Sequence, residues 1–137
     1  MLGKAWSVSH SSAYRYIRFT LLYLLLTARV LAAPPPTRIN DCSNTFIQEI
    51  TTRFDDDPDA EAVVVLTNGV VLFFYVKLDE VPALKTALPG DKVKLCLTKV
   101  PDNCPPGDER GKIYSVLNYR TQQYFKAMNS WHYCGGA

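Results

Sequence analysis

The sequence predicts a small, disulfide-stabilised antiparallel β-barrel, and three observations carry the prediction. Residues 62–76 read AVVVLTNGVVLFFYV, two runs of β-branched and aromatic residues around Asn68-Gly69. Asn-Gly accepts positive φ, so the pair is a strong hairpin signal, read here as a two-residue type I′ turn. Residues 91–100, DKVKLCLTKV, alternate with period two: Val93, Leu95 and Leu97 on one side, Lys92, Lys94, Cys96 and Thr98 on the other. All four cysteines, Cys42, Cys96, Cys104 and Cys134, lie beyond residue 41. An even count in a short exported chain reads as a disulfide framework.

Export is inferred from the first residues. Lys4, Arg15 and Arg18 precede the apolar run FTLLYLLLT at 19–27, with no acid among them. Small residues follow, then Pro34-Pro35-Pro36. A basic start, an apolar stretch of roughly 7–15 residues and an Ala-x-Ala-like end define a secretory signal peptide. A membrane span would need about 20 apolar residues, more than Arg18 and Arg29 enclose. Three segments result: a signal peptide at 1–33 cleaved near Ala32 or Ala33, a Pro-rich extended arm at 34–41, and one domain at 42–137. The expected location is secreted or periplasmic.

Cleavage changes the charge. The chain carries fifteen basic and thirteen acidic residues, formally +2. Four of the bases, Lys4, Arg15, Arg18 and Arg29, lie in the leader, so eleven remain against thirteen acids, a net of −2. Phosphate neutralisation drives generic nucleic-acid binding and calls for a basic surface. No nucleic-acid partner is expected.

Residues 43–54, SNTFIQEITTRF, allow two readings. Phe46, Ile50 and Phe54 fit a helix stripe, yet Ile47, Ile50, Thr51 and Thr52 favour a strand, and the strand is preferred. The acidic run at 55–61 clusters carboxylates that hard cations would accept. It lacks the spacing and central glycine of a calcium loop, so it reads as a solvated connection guarding the strand that follows. Residues 79–88 predict a short helix capped by Asp79 and stopped by Pro89-Gly90, with Val81, Leu84 and Leu88 on its apolar face. Residues 101–111 are a polar loop pinned by Cys104. Residues 112–128 form a second hairpin turning near Arg120-Thr121. In its return strand Tyr124, Lys126 and Met128 share one parity, and Phe125 and Ala127 point to the core.

Strand, hairpin, short helix, strand, loop and hairpin give a five- to six-stranded antiparallel barrel. The order looks like the oligonucleotide/oligosaccharide-binding (OB) arrangement, with its helix between the third and fourth strands. The alternative is an α+β open antiparallel sheet with an N-terminal helix at 43–54. Four cysteines allow three pairings. Cys96–Cys104 and Cys42–Cys134 are expected, one a short closure into the next loop and the other a clasp joining the domain's ends. No Cys-x-x-Cys spacing suggests zinc, and no metal or cofactor is expected.

Catalytic groups are sparse. His10 falls in the leader, which leaves His132 as the histidine any triad or Cys–His pair would use. No phosphate loop, HExxH or GxSxG occurs. Aromatics, by contrast, crowd the last quarter: Tyr114, Tyr119, Tyr124, Phe125, Trp131 and Tyr133, with basic residues beside them. Aromatic platforms stack on sugars and anchor protein interfaces. The expected site is Tyr119, Arg120, Tyr124, Trp131 and His132, on a non-enzymatic binding module for a protein or glycan. The alternatives are a small secreted enzyme using His132, or an accessory subunit of an envelope or secretion assembly docked through strand edges. Intact-mass measurement of the exported protein is expected to show a chain starting at Ala33 or Pro34. Retention of Met1 would overturn the leader.

Overall fold

A computed structural model describes residues 32–55 and 57–136. The signal-peptide reading therefore falls on residues outside those described. Six strands form a closed barrel: β1 (Cys42–Thr52), β2 (Glu61–Leu66), β3 (Val71–Lys77), β4 (Lys92–Lys99), β5 (Ile113–Asn118) and β6 (Tyr124–Met128). Their order around the barrel is β1-β2-β3-β6-β5-β4, and every pairing is antiparallel. Two three-stranded meanders thus face each other, and β1 is long enough to join both. Its second half pairs with β2 and its first half with β4. The expected small disulfide-stabilised barrel is what forms, and the helical alternative for 43–54 is not.

Alternation fills the interior. Ala62, Val64, Leu66, Leu72, Val93, Leu95, Leu97 and Val116 are fully buried. A bulge between Ile47 and Glu49 shifts the parity of β1. Ile47 therefore points inward at 1% exposure, while Phe46 is half-buried and Phe54, beyond the strand, is 63% exposed. The stripe Phe46, Ile50, Phe54 does not survive as one face.

Three sequence expectations need correction. The β2–β3 turn is not type I′. Gly69 has φ 86°, and Asn68 is not among the residues with positive φ. The Gly69 amide donates to the Leu66 carbonyl (3.0 Å) and the Leu66 amide to the Val70 carbonyl (2.9 Å). These bonds define a three-residue loop, a type I turn followed by a left-handed glycine that forms a bulge. Asn68 supports it through its side chain, which accepts from the Val70 amide (3.3 Å).

The helix expected at 79–88 is two single 3-10 turns, Leu78–Glu80 and Pro82–Leu84. Val81, between them, is extended at φ −100°, ψ 96°, as the residue before a proline prefers. Val81 and Leu84 are buried as expected, but Ala83 and Ala87 join them, and Leu88 is 56% exposed. This connector carries the chain from β3 to β4 and packs these apolar side chains into the core cluster.

The disulfides are Cys42–Cys96 and Cys104–Cys134, not Cys96–Cys104 and Cys42–Cys134. Register decides the first. Cys42 lies directly opposite Cys96 in the β1–β4 ladder, with Cα atoms 4.0 Å apart. The Leu97 amide bonds the Asp41 carbonyl (3.1 Å), which makes Cys42 and Cys96 a non-hydrogen-bonded pair. Side chains come closest at such pairs. Cys104 is then left to bind the chain's end to the loop at 101–111.

Non-reducing peptide mapping is expected to recover these two bridges. On the chain-entropy model, loops of 54 and 30 residues are worth about 4 and about 3.5 kcal/mol. Replacing Cys42 and Cys96 together by alanine should therefore lower unfolding stability by about 4 kcal/mol, measured in denaturant.

Candidate functional site

The predicted site residues separate into two groups at opposite ends of β6. Tyr119 and Arg120 lie in the β5–β6 turn, and Tyr124 opens β6. Trp131 and His132 follow its far end, after about 14 Å of strand. Tyr119, Arg120, Tyr124, Trp131 and His132 therefore do not form one face, which corrects the sequence expectation. The sequence placed Trp131 near the hairpin turn by chain proximity. The strand between them carries it away.

Arg120 is a strut. Its Nε donates to Asp91 Oδ1 (2.5 Å), and its Nη2 donates to Asp91 Oδ2 (2.7 Å) and the Thr86 carbonyl (2.6 Å). Asp91 is buried at 7% exposure, and Oδ2 also accepts from Asn118 Nδ2 (2.7 Å) and the Leu88 amide (2.9 Å). The Arg120 guanidinium, and behind it Asn118 and the Leu88 amide, hold the Asp91 carboxyl well below the usual carboxylate range, against the opposing effect of burial. Tyr119 is engaged as well. Its hydroxyl donates to Asn44 Oδ1 (2.8 Å), and its ring lies 5.7 Å from the Lys92 ammonium. Of the predicted residues at this end, Tyr124, 54% exposed, has no side-chain partner among the described residues.

At the other end Trp131 sits at the centre of an aromatic group. Its ring lies 4.7 Å from that of Phe73 and 5.8 Å, edge-on, from that of Tyr75. The Arg53 guanidinium lies 4.7 Å from the Trp131 ring and 5.3 Å from the Phe54 ring. The Tyr75 hydroxyl donates to the Trp131 carbonyl. Two observations explain this placement. Val63 and Phe73, paired in the β2–β3 ladder, face away from the interior and need cover. The tail covers Phe73 through the Trp131 ring, and Val63, opposite Phe73, is 6% exposed. Ser130 holds the turn: its hydroxyl accepts from the Gly111 amide (2.7 Å) and donates to the His132 carbonyl (2.7 Å). Asp108 fastens the same corner, accepting from Arg110 and from the Gly135 amide (3.0 Å).

Exposure then defines the face. Phe54 is 63%, Tyr75 61% and Tyr133 55% exposed around the half-buried Trp131. Tyr114 and Phe125, from the same aromatic set, are core residues at 3% and 6%. His132 is exposed, and among the described residues its backbone carbonyl alone is engaged, by the Ser130 hydroxyl. Cys134 is bonded to Cys104, so no Cys134 thiolate stands beside His132. The sequence reading missed Arg53, Phe54, Phe73 and Tyr75. A signal for two of them was present: Val71, Phe73 and Tyr75 share a parity opposite to Leu72 and Phe74. A chain this small has no second layer to cover that parity, so its own tail or a partner must do so.

A separate cleft of about 560 Å³ lies beside the connector, lined by Thr52, Asp59, Lys77 and Lys85 among others. Its Lys77 and Asp59 satisfy one another at 2.5 Å. Among the described residues no cluster of three or more His, Cys, Asp or Glu converges to hold a metal, and no helix is long and apolar enough to cross a membrane. No protein-family model, curated protein or solved structure matches the chain.

Asp91→Ala is expected to cost roughly 2–4 kcal/mol, because Asn118 and the Leu88 amide lose a buried acceptor while the half-exposed Arg120 regains water. The pH dependence has a definite sign. A carboxyl whose folded pKa lies below its unfolded value near 3.8 contributes fully above that value, and the contribution is lost as pH falls below it. Asp108, held low first by Arg110 and then by the Gly135 amide, acts in the same direction. Stability should be level above about pH 5 and fall below about pH 4, with a shallower fall in Asp91→Asn. Denaturant titrations across that range check it.

Proposed function

We propose that this protein is an exported binding module, without catalytic activity of its own, that engages a protein or glycan through the aromatic face around Trp131. The observation that carries the reading is the exposure of Phe54, Tyr75 and Tyr133 about a Trp131 that is itself held from behind by Phe73. Isolated exposed aromatics are ordinary, whereas several gathered about one anchored ring are the usual form of an interface anchor. Arg53 adds a cation already stacked on two rings. Arginine and aromatic residues dominate the energetics of protein interfaces, and the same rings stack on sugars.

Two disulfides among the described residues fit an oxidising compartment, which agrees with the leader reading and supports a secreted or periplasmic location. The net charge of −2 after leader removal argues for contacts that depend weakly on salt.

The test compares wild type, Phe54→Ala and Tyr75→Ala in capture from extracellular or envelope extract and on a glycan array. Tyr124→Ala, at the other end of β6, serves as the control. Loss of an anchor at Phe54 or Tyr75 should weaken binding by roughly thirtyfold, about 2 kcal/mol, with the melting temperature nearly unchanged for Phe54→Ala. Equal binding by all four proteins, or no binding by wild type to either probe set, would reject the face.

A further inference from the structure

We propose that the seam between β3 and β6 accepts an extended, acidic and apolar segment of a partner protein as an added β-strand. The proposal rests on the binding reading above and gives it a partner class. Each of the other five seams carries at least four register pairs. This seam carries one, Phe73 with Met128. Yet β3 runs four residues past Phe73, to Lys77, and β6 begins four residues before Met128, at Tyr124. Along that length the two strands do not ladder, and a cleft of about 330 Å³ opens between them.

An unladdered strand edge offers backbone N–H and C=O groups that an extended peptide can pair with. Most small barrels close every edge and lose this possibility. Here side chains keep the core shut instead. Phe74 and Phe125 meet on the inside with ring centroids 5.5 Å apart, both nearly fully buried. The seam can thus stay open to backbone pairing without exposing the core.

The lining sets the chemistry of the occupant. Tyr75 and Val76, 61% and 40% exposed, offer apolar surface on β3. Lys126 on β6 is the charged residue of the lining and, among the described residues, forms no ion pair. A strand placed here gains most from apolar side chains against Tyr75 and Val76 and a carboxylate near Lys126. Tyr75 also belongs to the Trp131 group, so the cleft and the aromatic face form one continuous surface.

The test selects binders from a displayed library of random peptides against the exported, oxidised protein. Trp131 is the one tryptophan beyond the leader, and it contacts Tyr75, so its fluorescence reports occupancy. Recovered peptides should combine apolar residues with an acid and change Trp131 emission saturably. N-methylation of alternate backbone amides should weaken them at least tenfold. Lys126→Glu should weaken them at least tenfold while leaving the melting temperature unchanged. Failure to recover any peptide, or peptides indifferent to N-methylation, overturns strand addition. If such a failure accompanies partner or glycan capture that still depends on Phe54 and Tyr75, the aromatic face stands and only the added strand is rejected. Loss of both results rejects the face as well.

Discussion

The Asp91 carboxylate is the fixed point of the connector end of the barrel. Four donors from three residues converge on it: Arg120 twice from the β5–β6 turn, Asn118 at the end of β5, and the Leu88 amide from the connector. The backbone of the same residue accepts from the Ile47 amide (2.9 Å), beside the β1 bulge. Connector and β5–β6 turn are thereby held to one side chain, and the first strand to the backbone of the same residue. A buried carboxylate is costly unless its lone pairs are filled, so each partner is needed to keep the others in place. This explains why two single 3-10 turns, with little hydrogen bonding of their own, can close that end of the barrel.

The two disulfides act on different parts of the molecule. Cys42–Cys96 lies across the β1–β4 ladder, where hydrogen bonds already join the strands. It ties the first meander to the second near the point where the chain enters the barrel. Cys104–Cys134 lies off the barrel and joins the loop at 101–111 to the tail. Ser130 and Asp108 add hydrogen bonds to that junction, and Gly111 (φ 90°) passes too close to Tyr133 to carry a side chain.

Much of the barrel was legible because its strands obey local rules. The alternation of Val93, Leu95 and Leu97 marks an inward face, and each of the three is fully buried. Phe125 and Ala127 likewise point inward from β6 as their parity required. What was not legible depends on partners distant in sequence. Cys42 and Cys96 pair because β1 bends onto β4, a fact of register that no loop-length argument supplies. The 79–88 segment has a cap, a proline and a stop, yet its length is consumed in spanning the barrel rather than in winding. Arg120 reads as a free cation until Asp91 is placed beside it. The chemistry of Trp131 is legible in the sequence, but its neighbours come from two other segments, Arg53 just past β1 and Phe73 and Tyr75 on β3.

Trp131 stands three residues before Cys134, and the Cys104–Cys134 bridge holds the segment after β6 in place. A segment outside the strands usually loses conformational freedom when it takes part in recognition, and that loss is subtracted from affinity. Here the tail is ordered by covalent and hydrogen-bonded restraints before any partner arrives. The face is preorganised, so folding itself meets the entropic cost of positioning Trp131, and contact energy at the rings is carried over into binding with little deduction.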